Sequence, residues 1–203
     1  MRTLIKNGTV VTAERSFRAD ILIEGEKISQ IAPALDCADA EVVDAAGLLI
    51  LPGGIDAHVH INLPMGATVS SDDYYTGSKA AAFGGTTTMI DFVSQDAGSL
   101  AENVARKRAE AEDKAAIDYS LHMNITRFDE DVAEELTELP SLGIHSIKVF
   151  TAYNNRLRLS DGDIFKVMRI AGRLGLLTMV HAENGDVIEV LTKEALAAGN
   201  TSP

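Results

Sequence analysis

From Pro52 onward the sequence alternates strand-like and helix-like segments with a period of roughly 30 residues, and nothing else in it restricts the fold as much. Such alternation is the pattern of βα units feeding a parallel sheet. The first strand is predicted to end at His58-Val59-His60, after Pro52-Gly53-Gly54. Asp72-Asp73-Tyr74-Tyr75 opens a predicted helix that Gly84-Gly85 stops, and Thr86 to Phe92 is the second strand. Ser99-Leu100-Ala101-Glu102 reads as a capping box for a helix running to about Lys114. Asp118 to Ile125 is the third strand, followed by a helix over Glu130 to Leu142. Ser146 to Phe150 is the fourth strand, and Ser160 caps the helix that ends near Leu174-Gly175. Leu176 to His181 is the fifth strand, with a last helix over Gly185 to Ala198. The fold class is therefore α/β, with five βα units where a (β/α)₈ barrel needs eight.

Residues 1–51 have a different texture, that of short strands and turns. Asn7-Gly8 is expected to be a hairpin turn between Thr3-Leu4-Ile5-Lys6 and Thr9-Val10-Val11-Thr12. Glu24-Gly25-Glu26 is a second turn, and Leu48-Leu49-Ile50-Leu51 reads as a buried strand. This stretch makes a small β module, too small to look stable alone. The boundaries expected are 1–51 for the β module and 52–203 for the βα units.

A net charge of −12 argues against nucleic acid bound through its phosphates and against an anionic membrane surface. No apolar run approaches the roughly 20 residues that span a bilayer, and the N-terminus lacks the apolar core of a signal peptide. Cys37 is the one cysteine, so no intrachain disulfide can form and a reducing, cytoplasmic setting is expected.

The chemistry-bearing residues fall at strand ends. Alternation on a strand aims His58 and His60 at one spot, a natural arrangement for Zn²⁺ or a similar ion. The bland reading is that the pair only decorates a strand end. Functional groups of a βα barrel sit at the C-terminal ends of its strands. By that rule Lys148, Tyr153 and His181 share a mouth with the two histidines. Burial and neighbouring cations can make a lysine amine neutral. A neutral amine adds CO₂ to give an anionic carbamate that can bridge two metals.

Together, Gly53-Gly54-Ile55-Asp56-Ala57-His58-Val59-His60, Ser71 to Gly77, Ala80 to Thr88, Ile147-Lys148-Val149-Phe150-Thr151-Ala152-Tyr153 and His181-Ala182-Glu183-Asn184 resemble the dihydropyrimidinase/hydantoinase family of cyclic amidohydrolases. The resemblance implies the N-terminal part of a TIM-like amidohydrolase barrel, preceded by a small, incomplete β-sandwich module. It implies that His58 and His60 hold one divalent metal, that carboxylated Lys148 bridges two, and that His181 holds the second. Zn²⁺ is the expected metal, with Mn²⁺ as the other choice. Tyr153 would hydrogen-bond the oxyanion formed as an amide carbonyl becomes tetrahedral, as a catalytic residue beside Lys148. The substrate would be a dihydropyrimidine or 5-substituted hydantoin, opened to an N-carbamoyl amino acid, with Leu63 and Met65 in the substrate loop. The whole enzyme would be a homo-oligomer, a tetramer by resemblance.

The family places a further metal-binding His and a proton-shuttling Asp on later strands that this sequence does not contain, so the 203-residue chain by itself is expected to be inactive. Dihydroorotases place an Arg where this chain has Asn62, and fit less well. Allantoinase-like activity stays open, as does a non-catalytic half-barrel working through a partner chain. Asp56 reads as a strand-end hydrogen-bonding group, and Glu183 and Asn184 either orient His181 or start a helix. His122 and His145 read as ordinary, Arg106-Lys107-Arg108 as a solvated helix face, and Cys37 as a packing residue.

Overall fold

The computed structural model describes residues 1–202, and the chain forms two compact units, Met1–Gly53 and Gly54–Pro203. In the first unit, β1 (Arg2–Val11), β2 (Ser16–Glu24), β3 (Lys27–Ala32), β4 (Glu41–Asp44) and β5 (Leu49–Ile50) make one sheet. β1 lies at its centre, antiparallel to β2 and parallel to both β4 and β5. It is a single sheet, so the two facing layers of the expected sandwich are not formed by these residues. Val10, Ala19 and Ile21 are its buried core, with Phe17, Ile23 and Ile50 against them.

Two expectations fail here. Asn7-Gly8 is not a hairpin turn but a bulge inside β1, where the pairing with β2 slips between Ile5 and Gly8. Asn7 takes the left-handed conformation (φ 64°), and its amide donates to Asp20 Oδ1 at 2.9 Å. The real β1–β2 connection is closed by Thr12 and Arg15. The apolar run Leu48–Leu51 is not buried either: Leu48, Leu49 and Leu51 are each at least 60% exposed.

In the second unit, β6 (Gly54–Val59) is followed by a small hairpin, β7 (Pro64–Met65) and β8 (Thr68–Val69), and then α1 (Tyr74–Phe83). Next come β9 (Thr86–Val93), α2 (Leu100–Ala111), β10 (Asp118–Asn124), α3 (Glu130–Glu135), β11 (Ser146–Phe150), α4 (Asp161–Leu174), β12 (Leu177–His181) and α5 (Gly185–Ala197). Strands β6, β9, β10, β11 and β12 lie side by side in chain order, all parallel. Parallel strands in sequential order bring all their C-terminal ends to one rim, the rim that carries chemistry in such folds.

Local chemistry sets the helix ends. Asp73, Ser99, Ser160 and Asn184 each accept an amide proton of the first turn that has no partner within the helix. The Ser99 box is complete, with Glu102 Oε2 accepting from the Ser99 amide at 2.8 Å. The segment Glu130–Leu142 is not one α-helix. Leu136–Leu142 winds as 3₁₀ around Pro140, whose missing N–H cannot continue the α pattern, and left-handed Gly143 ends it. The main core lies between the sheet and α2, α3 and α4, with Met123, Ile125, Leu136, Leu139, Ile144 and Ile147 fully enclosed. A smaller cluster joins Ile61, Tyr74, Met89 and Ala111. Among the described residues, no helix is long and apolar enough to cross a membrane.

Candidate metal centre

His58, on β6, and His60, just past its end, point into a cleft of about 890 Å³ above the strand ends. Their rings meet edge-on with centroids 5.2 Å apart. Both lean on Phe92 of β9, His60 stacked on it at 4.8 Å. β6 carries one extra residue relative to β9 between Asp56 and Val59, a bulge that re-aims the strand where the histidines begin. Asp56 stabilises it by accepting from the His58 amide at 3.1 Å.

Lys148 rises from the middle of β11 and is only 7% exposed. Its Nζ lies 3.5 Å from His58 Nε2 and 4.4 Å from the centre of the Phe92 ring. It makes no ion pair among the described residues. An ammonium surrounded by rings and imidazoles with no carboxylate is poorly solvated, and burial lowers the Lys148 pKa. Withdrawal from water, followed by the nearby Lys148 charge, lowers the pKa of His58; withdrawal from water and then His58 and Lys148 lower that of His60. Both imidazoles are therefore favoured in the neutral form.

His181 ends β12 on the same rim. Its ring lies 4.9 Å from that of Tyr153 and 5.9 Å from that of Phe150, and its Nε2 meets Glu183 Oε2 at 2.5 Å. Glu183 thus touches His181, while Asn184 caps α5. Tyr153 is 46% exposed in the cleft and holds a left-handed backbone (φ 64°), rare for a bulky residue. A turn in which its carbonyl accepts from the Arg156 and Leu157 amides maintains it. Leu63 and Met65 also line the cleft, at the start of the β7–β8 hairpin. The structure brings His58, His60 and Lys148 together, and sets His181 and Tyr153 as a pair beside them. Among the described residues, no three His, Cys, Asp or Glu side chains converge as a metal site on their own.

A model described as the amidohydrolase family matches residues 49–202. The chain belongs to the amidohydrolase family. Over its whole length this amidohydrolase chain is 48% identical to a D-hydantoinase of Geobacillus stearothermophilus, covering 44% of that protein. It is 42% identical to a dihydropyrimidinase of Dictyostelium discoideum, with 98% of the chain and 40% of the relative covered. Among solved structures, the dihydropyrimidinase from Brevibacillus agri superposes with a TM-score of 0.97 at 50% identity, over the whole chain and 44% of that structure. An L-hydantoinase from Arthrobacter aurescens gives 0.83 at 26% identity, over 97% of the chain and 44% of that structure. The chain thus spans less than half the length of these relatives.

Two groups were not legible in the amidohydrolase sequence. His122 is no ordinary strand residue: it reaches from β10 past β9 to Ala57 in the β6 bulge, its Nε2 3.0 Å from the carbonyl oxygen. A carbonyl only accepts, so Nε2 carries the proton, and Nδ1 meets the Ser146 hydroxyl on β11. Burial lowers the His122 pKa, which suits this neutral tautomer. Of Arg106-Lys107-Arg108 only Lys107 leaves the solvated face, while Arg106 and Arg108 are exposed as expected. Lys107 is turned inward to Asp91 at 3.1 Å, and Arg108 donates to the Leu142 carbonyl. His145 lies just before β11, its carbonyl accepting from the Leu177 amide.

Proposed function

We propose that these residues form the metal-binding half of a cyclic-amide hydrolase that opens dihydropyrimidine or 5-substituted hydantoin rings to N-carbamoyl amino acids. The observation that carries this reading is the approach of an unpaired, buried Lys148 amine to His58 Nε2. A lysine in that setting suits conversion to a carbamate, since the added carboxylate supplies the negative charge its surroundings lack. His58 and His60 would hold one divalent cation, His181 the other, and the Lys148 carbamate both. The mixed imidazole and carboxylate set suits zinc, or manganese. When bound, the cations supply a Lewis acid and an activated water at neutral pH.

The chain's own residues do the rest. Phe92 fixes the ring planes of His58 and His60 by stacking. Glu183 orients His181. The Tyr153 hydroxyl donates to the carbonyl oxygen as negative charge grows on it, a contribution of about 10²–10³ in rate for such donors. Leu63 and Met65 supply an apolar wall for the ring substituent. The kinship with proteins named D-hydantoinase and dihydropyrimidinase supports the substrate class. The domain arrangement proposed is a β module before the first five units of a (β/α)₈ barrel.

The test is ring opening of dihydrouracil and 5-substituted hydantoins by the whole enzyme carrying these residues, read as release of the N-carbamoyl product. Tyr153→Phe is expected to lower kcat by about 10²–10³ with a small change in KM. Turnover that survives Tyr153→Phe and Lys148→Ala unchanged would overturn the reading.

A further inference from the structure

The side chain of Asp91, on β9 one residue before Phe92, is 1% exposed and yet ionisable. Its Oδ2 accepts from the Tyr74 hydroxyl at 2.8 Å and pairs with Lys107 Nζ at 3.1 Å. Its Oδ1 faces the amides of Phe92 at 2.6 Å and Ile61 at 3.4 Å. Lys107, 12% exposed on α2, donates in turn to the Ile61 carbonyl at 2.7 Å and pairs with Glu110 at 3.2 Å. One buried ion pair therefore holds both backbone groups of Ile61, the residue that follows His60.

The side chain of Ile61 is held as well. It is 7% exposed, packed with Tyr74 and Met89, and a Cβ on Gly77 of α1 would come within 2.7 Å of its Cδ1. Immediately afterwards the chain swings away through left-handed Asn62 (φ 51°). Burying an ion pair costs several kcal/mol of desolvation, so apolar packing would serve stability as well. What apolar side chains cannot do is grip an N–H and a C=O of one chosen residue. The grip acts on both neighbours of the histidine pair: Ile61 after His60, and Phe92, the ring on which His58 and His60 rest.

We propose that the buried Asp91–Lys107 pair, closed by Tyr74, positions His58 and His60 and thereby sets how tightly they hold a cation. These are positioning residues, acting on the histidines through the Ile61 backbone and Phe92. The statement about the cation rests on the metal assignment above, whereas the statement about geometry does not. The same logic holds in metal sites generally, where removing a partner of the ligands weakens the metal by about 10–100-fold.

The experiment uses the chain and its Lys107→Met, Lys107→Arg and Tyr74→Phe variants, with Co²⁺ alone as the probe. Co²⁺ affinity is read from its visible absorption. A second reading needs no metal: the ring-proton NMR resonances of His60, displaced by stacking on Phe92. Lys107→Met is expected to weaken Co²⁺ by at least about tenfold and to move the His60 resonances toward their unstacked positions. Lys107→Arg restores both. Tyr74→Phe, which loses one hydroxyl and keeps the ring, is expected to weaken Co²⁺ about threefold and decides the matter where Lys107→Met does not fold. Unmoved His60 resonances together with affinities within twofold of the parent overturn the proposal. A parent chain that takes up no Co²⁺ counts against the metal assignment instead, and the His60 resonances alone then decide the positioning.

Discussion

Replacing Gly185 by alanine should destabilise the chain although it puts a better helix former in the first turn of α5. The reason is space. A Cβ at Gly185 would meet the Asn154 side-chain oxygen, and would lie 3.0 Å from Ala152 Cα and 3.1 Å from the Thr151 carbonyl oxygen. Asn154 cannot swing aside freely, because its amide donates to Asp186 and Glu189 at 3.0 Å each. The Thr151 backbone cannot retreat either, since its amide donates to the His181 carbonyl at 3.0 Å and its hydroxyl to the Glu183 carbonyl at 2.6 Å. Overpacking of this kind costs about 1–3 kcal/mol, against about 0.4–1 kcal/mol gained when an unhindered Gly becomes Ala. The net loss, about 1–2 kcal/mol, lowers Tm by roughly 2–8 °C for a unit of this size. Gly172, exposed on α4 with nothing within 4 Å of its would-be Cβ, is the control, and Gly172→Ala should raise Tm. Thermal unfolding followed by far-UV circular dichroism gives both signs. A Gly185→Ala protein as stable as Gly172→Ala would refute the close approach of the Tyr153 loop to α5.

Further outcomes follow from the same geometry. Ile144→Ala empties a fully buried site and should cost about 2–5 kcal/mol by urea unfolding. Ser99→Ala breaks the capping box of α2 and should cost about 0.5–2 kcal/mol in the same assay. Asp20 accepts amide protons from Asn7 and Leu35, which hold its pKa below the usual carboxylate value. A depressed carboxylate stabilises the fold above its unfolded pKa of about 3.9 and loses that contribution as pH falls through the lower folded value. Amide-exchange protection of Asn7 and Leu35 should therefore fall in acid, below pH of about 4, and an unchanged profile would contradict it.

The βα rhythm, the caps and the positions of His58, His60, Lys148 and His181 were legible because each rests on local chemistry: alternation, a polar residue before a helix, a turn-forming glycine. Long-range partners carry no such local mark. Asn-Gly favours a hairpin until Asp20, thirteen residues away, takes up the Asn7 amide and makes the pair a bulge. Leu48–Leu51 has the composition of a core strand, yet only Ile50 packs on the core, while Leu48, Leu49 and Leu51 stay exposed. Lys107, between exposed Arg106 and Arg108, looks solvated because the partner that turns it inward, Asp91, lies sixteen residues earlier. His122 looks ordinary because the carbonyl it holds is freed only by the bulge in β6. The i, i+2 argument for His58 and His60 reached the right neighbourhood, though through a bulged strand end rather than a regular one.

The central claim is that Lys148 is the shared member of a metal site with His58, His60 and His181. The direct measurement is metal content together with intact mass under native conditions, for the parent and for Lys148→Met. The parent should retain divalent metal and show a labile gain of one CO₂, and Lys148→Met should lose both while remaining folded. Equal metal content in the two proteins, with no CO₂ on the parent, would contradict the account.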